Sequence, residues 1–182
     1  MKRFLKFIFR IFLVLIVAFV VFFFWASSST LDKSEYAKLI EVDNHKIPEN
    51  DSIFSIVTYN IGYLSGMTNN LAVESPKKLF NDNLDKVISE VKKVNPDIMT
   101  FQEIDFDASR SYNVNQEEEI SKLGFNYRAQ TINWDERYLP FPYWPISMHY
   151  GKVVSGQSII SKYPLKEQQR IVLQRVADAP FH

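Results

Sequence analysis

At 182 residues, 46% of them hydrophobic, the chain has the material for one ordinary domain with a real core and little beyond it. It contains no cysteine, which excludes a disulfide framework, a thiolate metal site and a lipid-modified cysteine anchor. Its 21 basic and 21 acidic residues cancel, but Lys2, Arg3, Lys6 and Arg10 fall in the first thirty residues, which hold no acid; without those four the rest carries 17 bases against 21 acids, a formal −4. That balance weighs against a duplex nucleic acid gripped through its phosphates.

Residues 1–26 read as a membrane helix. The run from Ile11 to Ala26 is unbroken apolar sequence, and Phe4 to Phe9 extends it with only Lys6 and Arg10 interrupting. About 20 apolar residues span a bilayer, and the flanking cations can snorkel to the headgroups. The basic N-terminal flank keeps that end in the cytoplasm, sends everything after Ala26 across, and places Trp25 at the outer interface. The alternative is a cleaved signal peptide, with Ala26-Ser27-Ser28 as the small-residue site and a secreted product. Residues 27–51, with serines, alternating charges and Pro48, read as a linker with a helical turn at Ser34 to Ile40, and the isolated His45 as a solvated side chain.

The domain proper is expected over 52–182. Ser52 to Ile61 reads as a core strand ending in Asn60, followed by a polar loop. A helix comes next, capped by Ser75 with Pro76 in its first position, and Leu79, Phe80, Leu84, Val87, Ile88 and Val91 share one face. Asn95-Pro96 ends it, and Asp97 to Gln102 is the second strand, running into Glu103. A strand, helix and strand of this size form a βαβ unit, which brings Asn60 and Glu103 to the same end of a sheet. Past Glu103 the sequence is polar: Arg110 is a candidate phosphate contact on an exposed loop, and Glu117-Glu118-Glu119 on a short helix from Asn115 to Leu123 read as a solvated face. Phe125 to Gln130 reads as a strand. From 132 to 150 the chain packs Trp134, Tyr138, Phe141, Tyr143, Trp144 and Tyr150 among Pro140, Pro142 and Pro145, a composition expected to resist regular structure; Trp134 and Trp144 are candidates to stack on a substrate, and the bland alternative is local core. His149 reads as structural. Gly156 to Ser161 and Gln168 to Leu173 read as an antiparallel pair joined through Tyr163-Pro164-Leu165.

Three blocks carry a family resemblance: Thr58-Tyr59-Asn60-Ile61 after a β-branched run, Asn95-Pro96-Asp97-Ile98 leading into Phe101-Gln102-Glu103-Ile104-Asp105, and Gly156-Gln157-Ser158-Ile159-Ile160-Ser161 closed by Lys162-Tyr163-Pro164. Their order and spacing resemble the first half of the endonuclease/exonuclease/phosphatase family, over about Ile53 to Pro164. The resemblance implies an α/β fold, the first half of a four-layer sandwich, and metal-dependent hydrolysis of a phosphomonoester or phosphodiester. It implies that Glu103 and Asn60 serve catalysis and hold Mg²⁺ or Mn²⁺. The substrate it implies is a nucleic acid, a nucleotide or a phospholipid headgroup. The family's second half supplies a strand histidine, an Asp-x-Asn motif and a late Asp-His pair. None has a confident match here: no Asp-x-Asn follows Ser161, and His182 is terminal. The 182-residue chain, read as either a fragment or a truncated member, is therefore expected to have little hydrolytic activity alone. A different reading is a non-catalytic, membrane-anchored binding module that grips a partner through the aromatic loop 132–150.

Overall fold

A computed structural model describes residues 2–42, 53–69 and 71–173. Helix α1 (Lys2–Ala26) leads the chain; with no glycine or proline inside it and side chains exposed up to Trp25, it is long and apolar enough to cross a membrane. Behind it lies a five-stranded sheet of β1 (Ala37–Glu41), β2 (Ile56–Asn60), β3 (Ile98–Asp105), β4 (Tyr127–Leu139) and β5 (Gly151–Ser161), in the spatial order β1-β4-β5-β3-β2. Only β2 and β3 run parallel, with Asn60 opposite Gln102, and helix α2 (Lys77–Val94) makes the crossover between them.

The expected βαβ unit is present, and its punctuation differs in detail. Pro76, not Ser75, occupies the position before the first turn of α2 and gives no side-chain cap; Ser75 lends its carbonyl to the Tyr112 hydroxyl instead, at 2.9 Å. Asn95 ends α2 in the left-handed conformation, its N–H donating to the Val91 carbonyl. Phe80, Val87 and Val91 of the predicted face are buried against Met99, Phe101 and Ile104 of β3 and Ile160 of β5. Helix α3 (Gln116–Ser121), capped by the Asn115 side chain on Glu118 N, adds Ile120 to the same core. Both helices thus cover one sheet face. On the other, Leu39 and Ile159 stay exposed, and residues 165–169 border a shallow depression where Gln168 donates to the Gln130 carbonyl at 2.6 Å.

Four sequence expectations are overturned here. The segment read as a linker contributes a 3-10 turn at Lys33–Tyr36 and then β1, whose Ala37 to Glu41 pair antiparallel with Thr131 to Tyr127 of β4. The Asp135 carboxylate on β4 explains why that segment is held: it accepts from Thr30 N at 2.8 Å, Leu31 N at 2.9 Å and the Tyr36 hydroxyl at 3.0 Å. The start of the aromatic segment is regular after all, because β4 runs on through Leu139 on the pairing offered by Gly151 to Ser155. Gln168 to Leu173 is not a strand; β5 takes β3 and β4 as its neighbours, leaving no edge beside it for another. Finally, Glu117 faces inward, fully buried, and accepts from Ser158 Oγ and Gln130 Nε2 with Arg128 Nη1 at 3.4 Å, while Glu118 and Glu119 stay on the surface side. One of three successive helical residues must turn toward the sheet, and burial pushes the Glu117 carboxyl above its ordinary value against those donors. His45 and His182 lie outside the described residues.

Candidate active site

Two bulges shape the end of the sheet where Asn60 and Glu103 lie. On β3, Gln102 and Glu103 together stand between the pairs Phe101 with Ser158 and Ile104 with Gly156, so two residues face the single Gln157 of β5. On β4, Asn133 is the extra residue between Ile132, opposite Gly156, and Trp134, opposite Ser155. Strict alternation from the buried Phe101 would turn Glu103 into the core and Ile104 out of it. The bulge reverses this: Ile104 is fully buried, and Glu103, at a φ of 53°, turns to the cavity. A non-glycine residue in that left-handed region costs about 1 kcal/mol.

Gly156 sits between the bulges. A Cβ built there would lie 1.9 Å from the Thr131 carbonyl oxygen and 3.0 Å from Asn133 N, so the backbone of β4 comes as close as it does only because no side chain stands in the way. This gives the glycine of the third sequence block a structural reason. The cavity that results holds about 400 Å³ and is lined by Asn60, Tyr63, Gln102, Glu103, Asn133, Trp134, Ser155, Gly156 and Gln157.

Side-chain orientation within it is fixed by hydrogen bonds. Asn60 Oδ1 accepts from Gly62 N at 3.0 Å, which settles the direction of the amide and leaves its NH₂ group to meet an anion. Glu103 Oε2 accepts from Asn69 Nδ2 at 2.9 Å. The lining offers one carboxylate, a hard oxygen ligand, among neutral amides, and it fits a hydrated Mg²⁺ or Mn²⁺ that takes few protein oxygens. Among the described residues no group of three acidic or histidine side chains stands ready to enclose a metal by itself.

Of the five residues singled out in the sequence, Asn60, Glu103 and Trp134 share this cavity. Arg110 is not on an exposed loop. Its side chain is 7% exposed, its Nε and Nη2 donate to Asp105 Oδ2 and Oδ1 at 3.1 and 2.8 Å, and its guanidinium lies 3.6 Å over the Tyr63 ring, with Tyr150 at 5.1 Å and Trp134 at 5.5 Å. Arg110 therefore props the wall formed by Tyr63 and Trp134 from behind. Burial raises the Asp105 carboxyl against the pull of Arg110, and burial likewise raises the Tyr63 phenol. Trp144 is away from the cavity lining, 76% exposed on the turn after β4. His149 is structural in position, bonded to the Tyr138 hydroxyl at 2.7 Å. Sequence reasoning missed Asn69, Gln102, Asn133 and Gln157. Gln102 and Gln157 stood inside the quoted blocks without being assigned a role, but nothing local marked Asn133, whose place depends on a bulge set by another strand.

The sequence profile described as the Endonuclease/Exonuclease/phosphatase family matches residues 57–180, more than half of the chain. The chain belongs to the endonuclease/exonuclease/phosphatase family. Its members are generally phosphoesterases and nucleases that use divalent metals, and the sheet with helices on one face is consistent with a partial fold of this family. No curated protein and no solved structure matches the chain.

Proposed function

We propose that this member of the endonuclease/exonuclease/phosphatase family carries the cation- and phosphate-holding part of a phosphoester-hydrolysing site, on a domain anchored outside the cytoplasm by α1. The observation that supports it is the convergence of Glu103 and Asn60 on one cavity at the ends of the parallel pair β2 and β3. Mg²⁺ or Mn²⁺ at Glu103 would polarise a phosphoryl oxygen and offset charge building on the leaving group. Glu103 is steadied for that task by Asn69, and Asn60 offers its NH₂ to a phosphate oxygen because Gly62 N already engages its carbonyl. Trp134, between the cavity and the Arg110 cation, supplies a flat wall for the remainder of a nucleotide or phospholipid headgroup. The formal −4 beyond the first thirty residues disfavours a duplex.

The test is cation binding. Electron paramagnetic resonance of Mn²⁺ added to the detergent-solubilised chain is expected to show one site of roughly millimolar affinity, as a site with one carboxylate should. Glu103→Ala should weaken it at least tenfold; an unchanged Mn²⁺ isotherm would overturn the assignment. Hydrolysis of bis(p-nitrophenyl) phosphate by the 182 residues alone should stay close to background, since no Asp-x-Asn and no Asp-His pair follows Ser161 in them.

A further inference from the structure

The turn that joins β4 to β5 is the part of the molecule the catalytic reading leaves unused. Residues 139–150 contain no charged side chain, and Tyr143, Trp144 and Ile146 on it are 80, 76 and 62% exposed. Such a cluster on a domain of formal charge −4 calls for a partner that is apolar on one side and polar on the other.

The end of α1 says where the turn is held. Tyr138, the next-to-last residue of β4, packs its ring on Phe22 at 5.8 Å and on Trp25 at 6.2 Å. Arg137 N donates to the Ser28 carbonyl at 3.0 Å, and Ala26 is covered by the domain, so no slack separates helix from sheet. The Tyr138 hydroxyl then shares a hydrogen bond with His149 Nδ1, and the Nε2 of that ring lies 3.5 Å from the Tyr143 carbonyl. The turn is thus braced on the last turn of α1.

Length decides the depth. From Arg10, the last cation of α1, to Ala26 the helix rises roughly 24 Å at 1.5 Å per residue, against a hydrocarbon core of about 30 Å. With the Arg10 side chain snorkelling to one headgroup layer, the helix shifts outward enough to place Trp25 at the other, with Phe22 about one turn, roughly 4.5 Å, below it. A residue packed on both is carried to that level, and so is the turn it braces.

We infer that the turn 140–148 seats in the headgroup layer of the membrane that α1 crosses, with Tyr143, Trp144 and Ile146 as its lipid contacts. Trp and Tyr are the residues that favour this layer. The cleft of about 310 Å³ lined by Tyr63, Leu71, Arg110, Pro142, Met148 and Tyr150 then borders the bilayer surface. The inference rests on α1 spanning the membrane.

The absence of cysteine makes the test clean. The full chain with Ile146→Cys, and separately with Lys86→Cys on the exposed side of α2, is labelled with an environment-sensitive nitrobenzoxadiazole dye and reconstituted in phosphatidylcholine vesicles, with and without headgroup-region nitroxide lipids. The expected result is quenching of at least twofold at position 146 and less than a tenth at position 86, in protein that resists carbonate extraction. If the protein resists carbonate but position 146 is quenched no more than position 86, the seating is wrong while the spanning helix stands. If carbonate removes the protein, the spanning helix is wrong and the seating falls with it. Tyr143→Cys, read the same way, replaces Ile146→Cys should that variant misfold.

Discussion

The Arg110 to Asp105 pair decides whether the wall of the site is structural or chemical. Arg110→Ala removes two charge-assisted hydrogen bonds and a cation stacked on Tyr63, and it leaves Asp105, which has no exposed surface, without its counter-charge. Breaking a buried ion pair from one side costs about 3–5 kcal/mol. For a chain of this size that corresponds to a fall in Tm of roughly 6–20 °C, at 2–4 °C per kcal/mol. Replacing both partners, as Asp105→Asn with Arg110→Met, removes the stranded charge and should recover at least half of the loss. The pH dependence has a fixed sign. Asp105 is already raised by burial and rises further without Arg110. In the Arg110→Ala variant the native state then holds a proton that the unfolded state, with its carboxyl near 3.9, has released. The deficit against the parent is therefore smallest below about pH 4 and grows as pH rises toward the native value. Thermal unfolding followed by circular dichroism between pH 4 and pH 8 measures it. A single mutant as stable as the parent, or a double mutant no better than the single one, would refute the reasoning and return Arg110 to the role of a phosphate contact.

Gly156→Ala should lower stability by about 3 kcal/mol, because its Cβ would meet the Thr131 carbonyl oxygen at 1.9 Å and backbone cannot yield as a side chain does, whereas Gly124→Ala, with open space but a φ of +102°, should cost only about 1 kcal/mol; differential scanning calorimetry of the two separates a clash from a conformational penalty. Asp135→Asn should destabilise by about 2 kcal/mol at pH 7. The carboxyl is held below its ordinary value, burial being outweighed by hydrogen bonds from Thr30, Leu31 and Tyr36, so the parent's advantage is complete above about pH 4 and fades as pH falls through the lowered value; Tm differences measured from pH 7 down to pH 3 give that curve. In the same variant, protease cleavage between Ser29 and Tyr36 should speed up, as read by mass spectrometry, because those donors hold the segment to β4.

What could be read from sequence was what is local. The period of α2 and the two flanking apolar runs give β2, α2 and β3, and with them the meeting of Asn60 and Glu103, because a right-handed crossover has one outcome. Ala37 to Glu41 was not legible: two charges in five residues suggest solvent, and only the offered edge of β4 makes it a strand. Trp134 to Leu139 was likewise hidden, since its partner Gly151 to Ser155 lies beyond the prolines. Gln168 to Leu173 shows the converse, a strand-like composition with no edge to pair with. Arg110 and Glu117 were misplaced for one reason: a charged side chain in a polar stretch reads as solvated, and the partners that bury it, Asp105 in one case and Ser158, Gln130 and Arg128 in the other, are set by tertiary packing.

The two bulges carry this argument to the site itself. Glu103 and Asn133 are residue types that strands disfavour, but nothing in either side chain says that a bulge will turn it toward a cavity. Both are displaced by the same neighbour, β5, which at Gly156 meets the register shift of β3 on one side and of β4 on the other. Because Gly156 has no Cβ, Thr131 and Asn133 can close in, and the shift on β4 is accommodated. The residue that lets the cavity form is thus the one lining residue with no side chain, and the orientation of Glu103 depends on a pairing error rather than on its own strand. A site built this way loses its carboxylate geometry when a strand two places away is straightened. Gly156→Ala should therefore weaken Mn²⁺ binding at Glu103 although it alters no ligand, and unchanged binding in a folded Gly156→Ala protein would show that the bulge on β3 stands by itself.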